Sequence, residues 1–183
     1  MLRPLLTVMM LVLLTACSSS EPDDGPADSL LRNGGFELGT ESADPWVLYV
    51  HADPEAYELE IAADHARSGR LGASIVRVRD EPWAGLFQHL PPDGLQDAPL
   101  RLSAWVRVAD IDENVALMAR MRKHSGGFEV AEERLEATAA GPGWQRLVLE
   151  FRMPADPSEL EVAIVLNGGG RIAVDDVRLS LLE

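Results

Sequence analysis

From Leu100 to Val108 the chain alternates without a break. Leu100, Leu102, Ala104, Val106 and Val108 fall on one parity, and Arg101, Ser103, Trp105 and Arg107 on the other. A period of two belongs to a β-strand with one face buried, because successive side chains of a strand point to opposite sides. A helix would spread the same residues around its circumference. This run therefore has to lie on a sheet, and the sheet has to press its apolar face against a second layer.

The rest of the chain repeats the pattern in shorter pieces. Tyr57 to Ile61, Ala73 to Arg79, Trp83 to Leu90, Val115 to Lys123, Trp144 to Met153, Leu160 to Leu166 and Ile172 to Leu182 read as strands. Ser68-Gly69-Arg70, Pro91-Pro92-Asp93-Gly94, Gly126-Gly127, Gly141-Pro142-Gly143 and Asn167 to Gly170 punctuate them as turns. Phe128 to Val130 follows the Gly126-Gly127 turn, and Glu132 to Ala140 is left open between a helical turn and a loop. Many short strands with turns about every 10 residues predict an all-β sandwich or barrel. Residues 30–183 are the size of one domain.

The first residues read differently. Arg3 precedes an apolar stretch of 12 residues, Leu5 to Ala16, too short to span a bilayer but suited to a signal peptide. It ends in Leu14-Thr15-Ala16-Cys17, which is similar to a bacterial lipobox. Residues 1–16 are thus read as a lipoprotein signal peptide, with Cys17 as the lipidated residue and 17–29 as a flexible, acidic tether. Cys17 is the one cysteine, so no disulfide supports the domain. Ser18 and Ser19 after the cysteine resemble the outer-membrane sorting pattern, which places the protein in the bacterial cell envelope, held to the membrane through its lipid.

Charge narrows the partners. The chain carries 16 basic and 30 acidic residues, a formal net charge of −14, and loss of residues 1–16 with Arg3 makes it −15. Nucleic acid and anionic lipid surfaces call for a basic footprint, so neither is expected as a partner.

Asp175 is the residue that most needs explaining. Strand alternation places it with Ala173, Val177, Leu179 and Leu181, the side expected to face the core. A carboxylate there is costly unless it is paired, bound to a metal, or capping backbone N–H groups at a bulge.

The chain also carries a series of short motifs in a fixed order. Arg32-Asn33-Gly34-Gly35-Phe36-Glu37 comes first, then Trp46, Ala66 to Gly69, Leu102 to Val106, Gly143 to Arg146, and Val174-Asp175-Asp176-Val177. This series resembles carbohydrate-binding modules of the family 4, 9 and 22 type. The resemblance implies a single galactose-binding-domain-like jelly-roll sandwich and a carbohydrate ligand. It also implies a structural calcium ion held by Glu37 and Asp175, with main-chain oxygens near Asn33 and Ser68-Gly69. A ligand site of this kind pairs aromatic rings with planar polar side chains. Trp105, with Arg107 beside it on the polar face of its strand, is the first candidate, and Trp46, Tyr49 and Trp83, in or beside expected loops, are the others.

No G-x-S-x-G or H-E-x-x-H occurs, and His51, His65, His89 and His124 have no ligand spacing and are read as loop or surface residues. The chain is therefore read as a binding protein and not an enzyme. The alternative is a cell-envelope scaffold on the same fold with a protein partner in place of a sugar.

Overall fold

The computed structural model describes residues 29–40 and 42–182. Residues 1–16, Cys17 and all of the tether but Ser29 lie outside the described residues. Ten strands form two antiparallel sheets. They are β1 (Val47–Val50), β2 (Tyr57–Ala62), β3 (Gly72–Arg77), β4 (Trp83–Leu90), β5 (Pro99–Ala109), β6 (Asn114–Lys123), β7 (Phe128–Glu136), β8 (Trp144–Arg152), β9 (Pro157–Asn167) and β10 (Arg171–Leu181). One sheet, called A, has the order β1-β4-β9-β6-β7, and the other, B, has β2-β3-β10-β5-β8. Only β2–β3 and β6–β7 join neighbours of one sheet; every other connection crosses between the layers. The fold is all-β, a single sandwich, as the sequence requires.

The core lies where the alternation of β5 points. Leu100, Leu102, Ala104 and Val106 are buried, and they meet Leu117 of β6, Leu160, Val162, Ile164 and Leu166 of β9, and Ile172 and Val174 of β10. One polar core side chain, Gln88 of β4, holds the incoming chain: its Nε2 donates to the Arg32 carbonyl and its Oε1 accepts from the Arg32 N–H.

Two segments depart from the sequence reading. Glu132 to Glu136 continues strand β7, and only Ala137–Ala139 forms a 3-10 turn. β7 is an edge strand exposed on most of its length, so its charged residues carry no alternation to read. The second departure is in β10. A bulge breaks its register against β5 between Asp175 and Arg178, with Asp176 at φ 50°. The extra residue moves the core face from Ile172 and Val174 to Val177 and Leu179. Asp175 therefore pairs with Trp105 on the outer side of sheet B and does not point into the core.

Candidate functional site

Two regions gather the residues singled out by sequence. The first is the joint between the chain ends. The Asn33 to Glu37 loop lies on the bulge of β10: Val177 N–H donates to the Gly34 carbonyl. A Cβ on Gly34 would stand 2.0 Å from the Val177 oxygen, so only glycine permits this approach. The Ala66 to Gly69 loop covers Asp175 from the other side. Asp175 Oδ2 accepts from the N–H groups of Arg67 (2.7 Å) and Ser68 (2.9 Å), and Oδ1 from the N–H of Asp176 (2.7 Å). Glu37 Oε1 accepts from the N–H groups of Arg70 and Leu71, 2.6 and 3.0 Å away. Gly35 lies beside both side chains: a Cβ there would stand 3.8 Å from Asp175 Oδ1 and from the Glu37 Cγ methylene, while the Glu37 carboxylate itself lies over Gly69.

Their electrostatics differ in sign. Asp175 is fully buried, and burial pushes its carboxyl above the ordinary value of 3.8 against the pull of its three amides, with the charge of Asp176 adding to the push. Glu37 is held below 4.5, chiefly by the Leu71 N–H and then by Arg70. Asp176 itself accepts from Arg67 Nη1 and Ser68 Oγ.

Trp46 belongs to this joint and not to a ligand surface. It is buried, packs 6.0 Å from Phe36, and donates its Nε1–H to the Asn33 carbonyl. That carbonyl also accepts from Phe36 N–H, so it serves two donors within the joint. Trp105 is half-buried on the outer face of sheet B, with the Arg67 guanidinium 3.8 Å over its ring. Arg107 donates to the Asp64 carbonyl and lies 5.1 Å over Trp144. His65, expected at the surface, is buried on the 3-10 turn Ala63–His65 and contacts Glu60.

The second region is the outer face of sheet A, and here Tyr49 and Trp83 meet. Neither is in a loop: they sit on β1 and β4. Across the strands the register lines up Tyr49, Gly85, Val165, Ala116 and Arg134 in one row, and Val47, Phe87, Ala163, Met118 and Glu132 in the next. Phe87 packs edge-on to Tyr49 at 5.2 Å and lies 6.3 Å from Trp83. Gly85, Ala116 and Ala163 are small, and Val165, Met118 and Phe87 fill the places between them, so the middle of the face is an apolar strip, called here the trough, with aromatic rings on the β1–β4 side. A Cβ on Gly85 would come within 2.9 Å of the Phe87 ring. Tyr49 and Val47 remain 44% and 45% exposed.

A polar row borders the trough. His89 Nδ1 lies 2.7 Å from Glu159 and its Nε2 3.1 Å from Glu161, while Arg120 and Arg122 stand 2.8 and 3.1 Å from Glu161 and Glu159. Glu161 is buried, and its Oε1 makes no aligned hydrogen bond. On the other side Asn167 Nδ2 donates to Asn114 Oδ1. Phe128, 60% exposed, and Val130 close the β7 end. Phe87, Glu161 and Phe128 were not among the residues singled out by sequence. The parity of Trp83, Gly85, Phe87 and His89 along β4 was the signal for Phe87.

Several carboxylates are held low by their partners: Glu159 by the His89 hydrogen bond first and then Arg122, Glu60 by His65, Asp156 by Ser125, and Glu37 as above. A depressed group stabilises the fold above its unfolded value, and that stability is lost as pH falls through the folded value. The contribution of these four carboxylates to the melting midpoint, followed by circular dichroism, is expected to be constant above about pH 5 and to be lost below about pH 4.5, with the raised Asp175 acting in the opposite sense.

No family model matches the chain, and no curated protein matches it. Solved structures do. The enzymatically active domain of bacteriophage CBA120 tailspike protein 4 superposes with a TM-score of 0.69 at 14% identity over 86% of this chain, which spans only 22% of that one. A family 16 carbohydrate-binding module gives 0.61 at 18% identity, covering 84% of this chain and 99% of the module. A cyclase from Fischerella sp. gives 0.63 at 14% identity, covering 85% and 96%. Carbohydrate-binding modules of families 22 and 61 share the architecture. At these identities the likeness fixes the fold, the jelly-roll sandwich of carbohydrate-binding modules. The fold alone hosts binding proteins and enzymes alike.

Proposed function

We propose that this chain is a non-catalytic carbohydrate-binding module whose ligand lies along the outer face of sheet A. The observation that carries this reading is the trough over Gly85, Ala116 and Ala163, walled by Tyr49, Phe87 and Trp83 and bordered by the His89–Glu161–Arg120 row. Rings meet the C–H face of a sugar, and fixed amide, carboxylate and guanidinium groups take its hydroxyls. The glycan-binding neighbours of the same fold support the class of ligand. A glycan-array screen of the purified chain should return a reproducible hit that quenches tryptophan fluorescence and is lost on Tyr49→Ala. A blank array would sink the sugar reading and favour a protein partner on this face.

We also propose a structural calcium ion at the joint, held by Glu37 and Asp175. Among the described residues no three His, Cys, Asp or Glu side chains gather as a metal site, so the remaining ligands would be main-chain carbonyls and water. What supports the ion is the chemistry of the pair: two carboxylates held by the same Arg67 to Leu71 loop, one of them desolvated with the charge of Asp176 beside it. The ion would supply the positive charge that Asp175 lacks and tie the first loop to the last strand. Lipidation of Cys17, with attachment to the outer membrane, completes the proposal. Cys17→Ser should move the protein from the membrane to the soluble fraction.

A further inference from the structure

We propose a second ligand site on the opposite sheet: the outer face of sheet B binds a linear polyuronate, a glycan with a carboxylate on each sugar. The net charge of −14 hides a segregation. Arg171 and Arg178 of β10, Arg101 and Arg107 of β5, and Arg146 and Arg152 of β8 all have outward parity on three neighbouring strands. Acids on these strands are few and occupied: Asp175 is buried under backbone amides, Asp176 pairs with Arg67, and Glu150 with Arg101. Glu58 and Glu60 lie on β2, two strands away from β10. Beyond roughly 8 to 10 Å ordinary salt screens exposed charges, so the potential here is set locally, by these arginines against Asp64 and Asp110 at their edge and Glu60 on β2, and not by the net charge.

Three of the arginines form a line. Arg171 is offset by one pair from Arg107, which pairs with Ala173, and Arg107 by one pair from Arg146, which pairs with Trp105. Such diagonal neighbours stand about 7 to 8 Å apart. Arg171 is exposed and makes no ion pair or hydrogen bond among the described residues; its charge reaches Glu60 only at a distance. Arg146 Nε is buried and makes no hydrogen bond among the described residues. Arg107 spends one nitrogen on the Asp64 carbonyl. Arg107 and Arg171 line a depression of about 480 Å³ whose rim is Pro142-Gly143 on one side and Asp64-His65 on the other. Arg171 also borders a second depression of about 330 Å³.

A single anion would engage one or two of these groups. A row of guanidinium forks matches a row of planar carboxylates, each able to take a bidentate pair. The inference stands apart from the sugar site on sheet A.

The test is calorimetric titration of the full chain with polygalacturonate, its fully methyl-esterified form, dextran sulfate and vesicles containing anionic phospholipid. Polygalacturonate alone should bind. Arg171→Gln should weaken it severalfold and Arg171→Gln with Arg146→Gln at least tenfold, with Arg146→Lys also weakened because an ammonium lacks the fork. Arg79→Gln, an exposed arginine away from these three strands, should leave it unchanged. Binding of the methyl ester, equal binding of dextran sulfate or vesicles, an unaffected double variant, or no binding at all would each overturn the proposal. Arg171 is exposed, so its single variant folds and keeps the test decisive if the double variant does not.

Discussion

Asp175→Ala is expected to lower the melting midpoint by roughly 10 °C. The substitution removes the acceptor of three backbone N–H groups, those of Arg67, Ser68 and Asp176, at a fully buried position. Leaving a buried donor unsatisfied costs about 1 to 3 kcal/mol, and relief of the buried charge returns part of it, so the net loss is about 3 kcal/mol. For a domain of this size each kcal/mol moves the midpoint by about 2 to 4 °C. Asp175→Asn should fall between the parent and alanine, because its carbonyl keeps the Arg67 and Ser68 bonds while its amide faces the Asp176 N–H. A midpoint unchanged by alanine would mean that water replaces the carboxylate without cost.

The same residue carries the calcium test. Its folded pKa is raised, so the charged form opposes folding, and stability falls as pH climbs from about 3.8 through the raised folded value. A bound cation reverses that sign by favouring the carboxylate. Calcium at 100 times its dissociation constant would add about 2.7 kcal/mol. EDTA should therefore lower the parent's midpoint by several degrees at pH 7 and leave Asp175→Ala unmoved. If EDTA shifts neither protein, the backbone amides alone account for Asp175 and there is no ion.

How much of this was legible depended on regularity. β5 was readable because nothing interrupts its alternation, and its apolar parity is the core. β10 was misread because parity cannot be carried through a bulge, and an aspartate at positive φ leaves little mark in the sequence beyond Asp-Asp itself. β1 has four residues, Val47–Val50, too few for a period to declare itself. The chain-end joint was legible as a meeting of three motifs, since the Asn33 to Glu37 loop, Ala66 to Gly69 and Asp175-Asp176 do meet. The trough was not. It exists because β4, β9 and β6 are neighbours, which brings Gly85, Ala163 and Ala116 together from distant parts of the chain. Sequence order does not disclose that order of strands. Trp105 drew attention through polar neighbours on its own strand, yet it is the Arg67 guanidinium, from a loop, that covers it.

This contrast yields the sharpest separation between the two sheets. Tyr49→Ala and Trp83→Ala should each weaken glycan binding about tenfold, with the midpoint changed by no more than a few degrees, whereas Trp105→Ala should do the reverse. Tyr49 exposes nearly half its surface beside Phe87. Covering about 50 Å² of ring with sugar is worth about 1.3 kcal/mol, close to a factor of ten in Kd. Trp105 instead stacks under Arg67, whose N–H also holds Asp175. Its loss would loosen the loop that covers the β10 bulge, an effect on stability and not on a ligand 10 Å away on the other layer. The measurement is a pair of numbers for each variant, Kd from titration with the array hit and the midpoint from a thermal scan. Binding lost with Trp105→Ala and kept with both sheet A variants would move the sugar to sheet B and leave the trough without its proposed role.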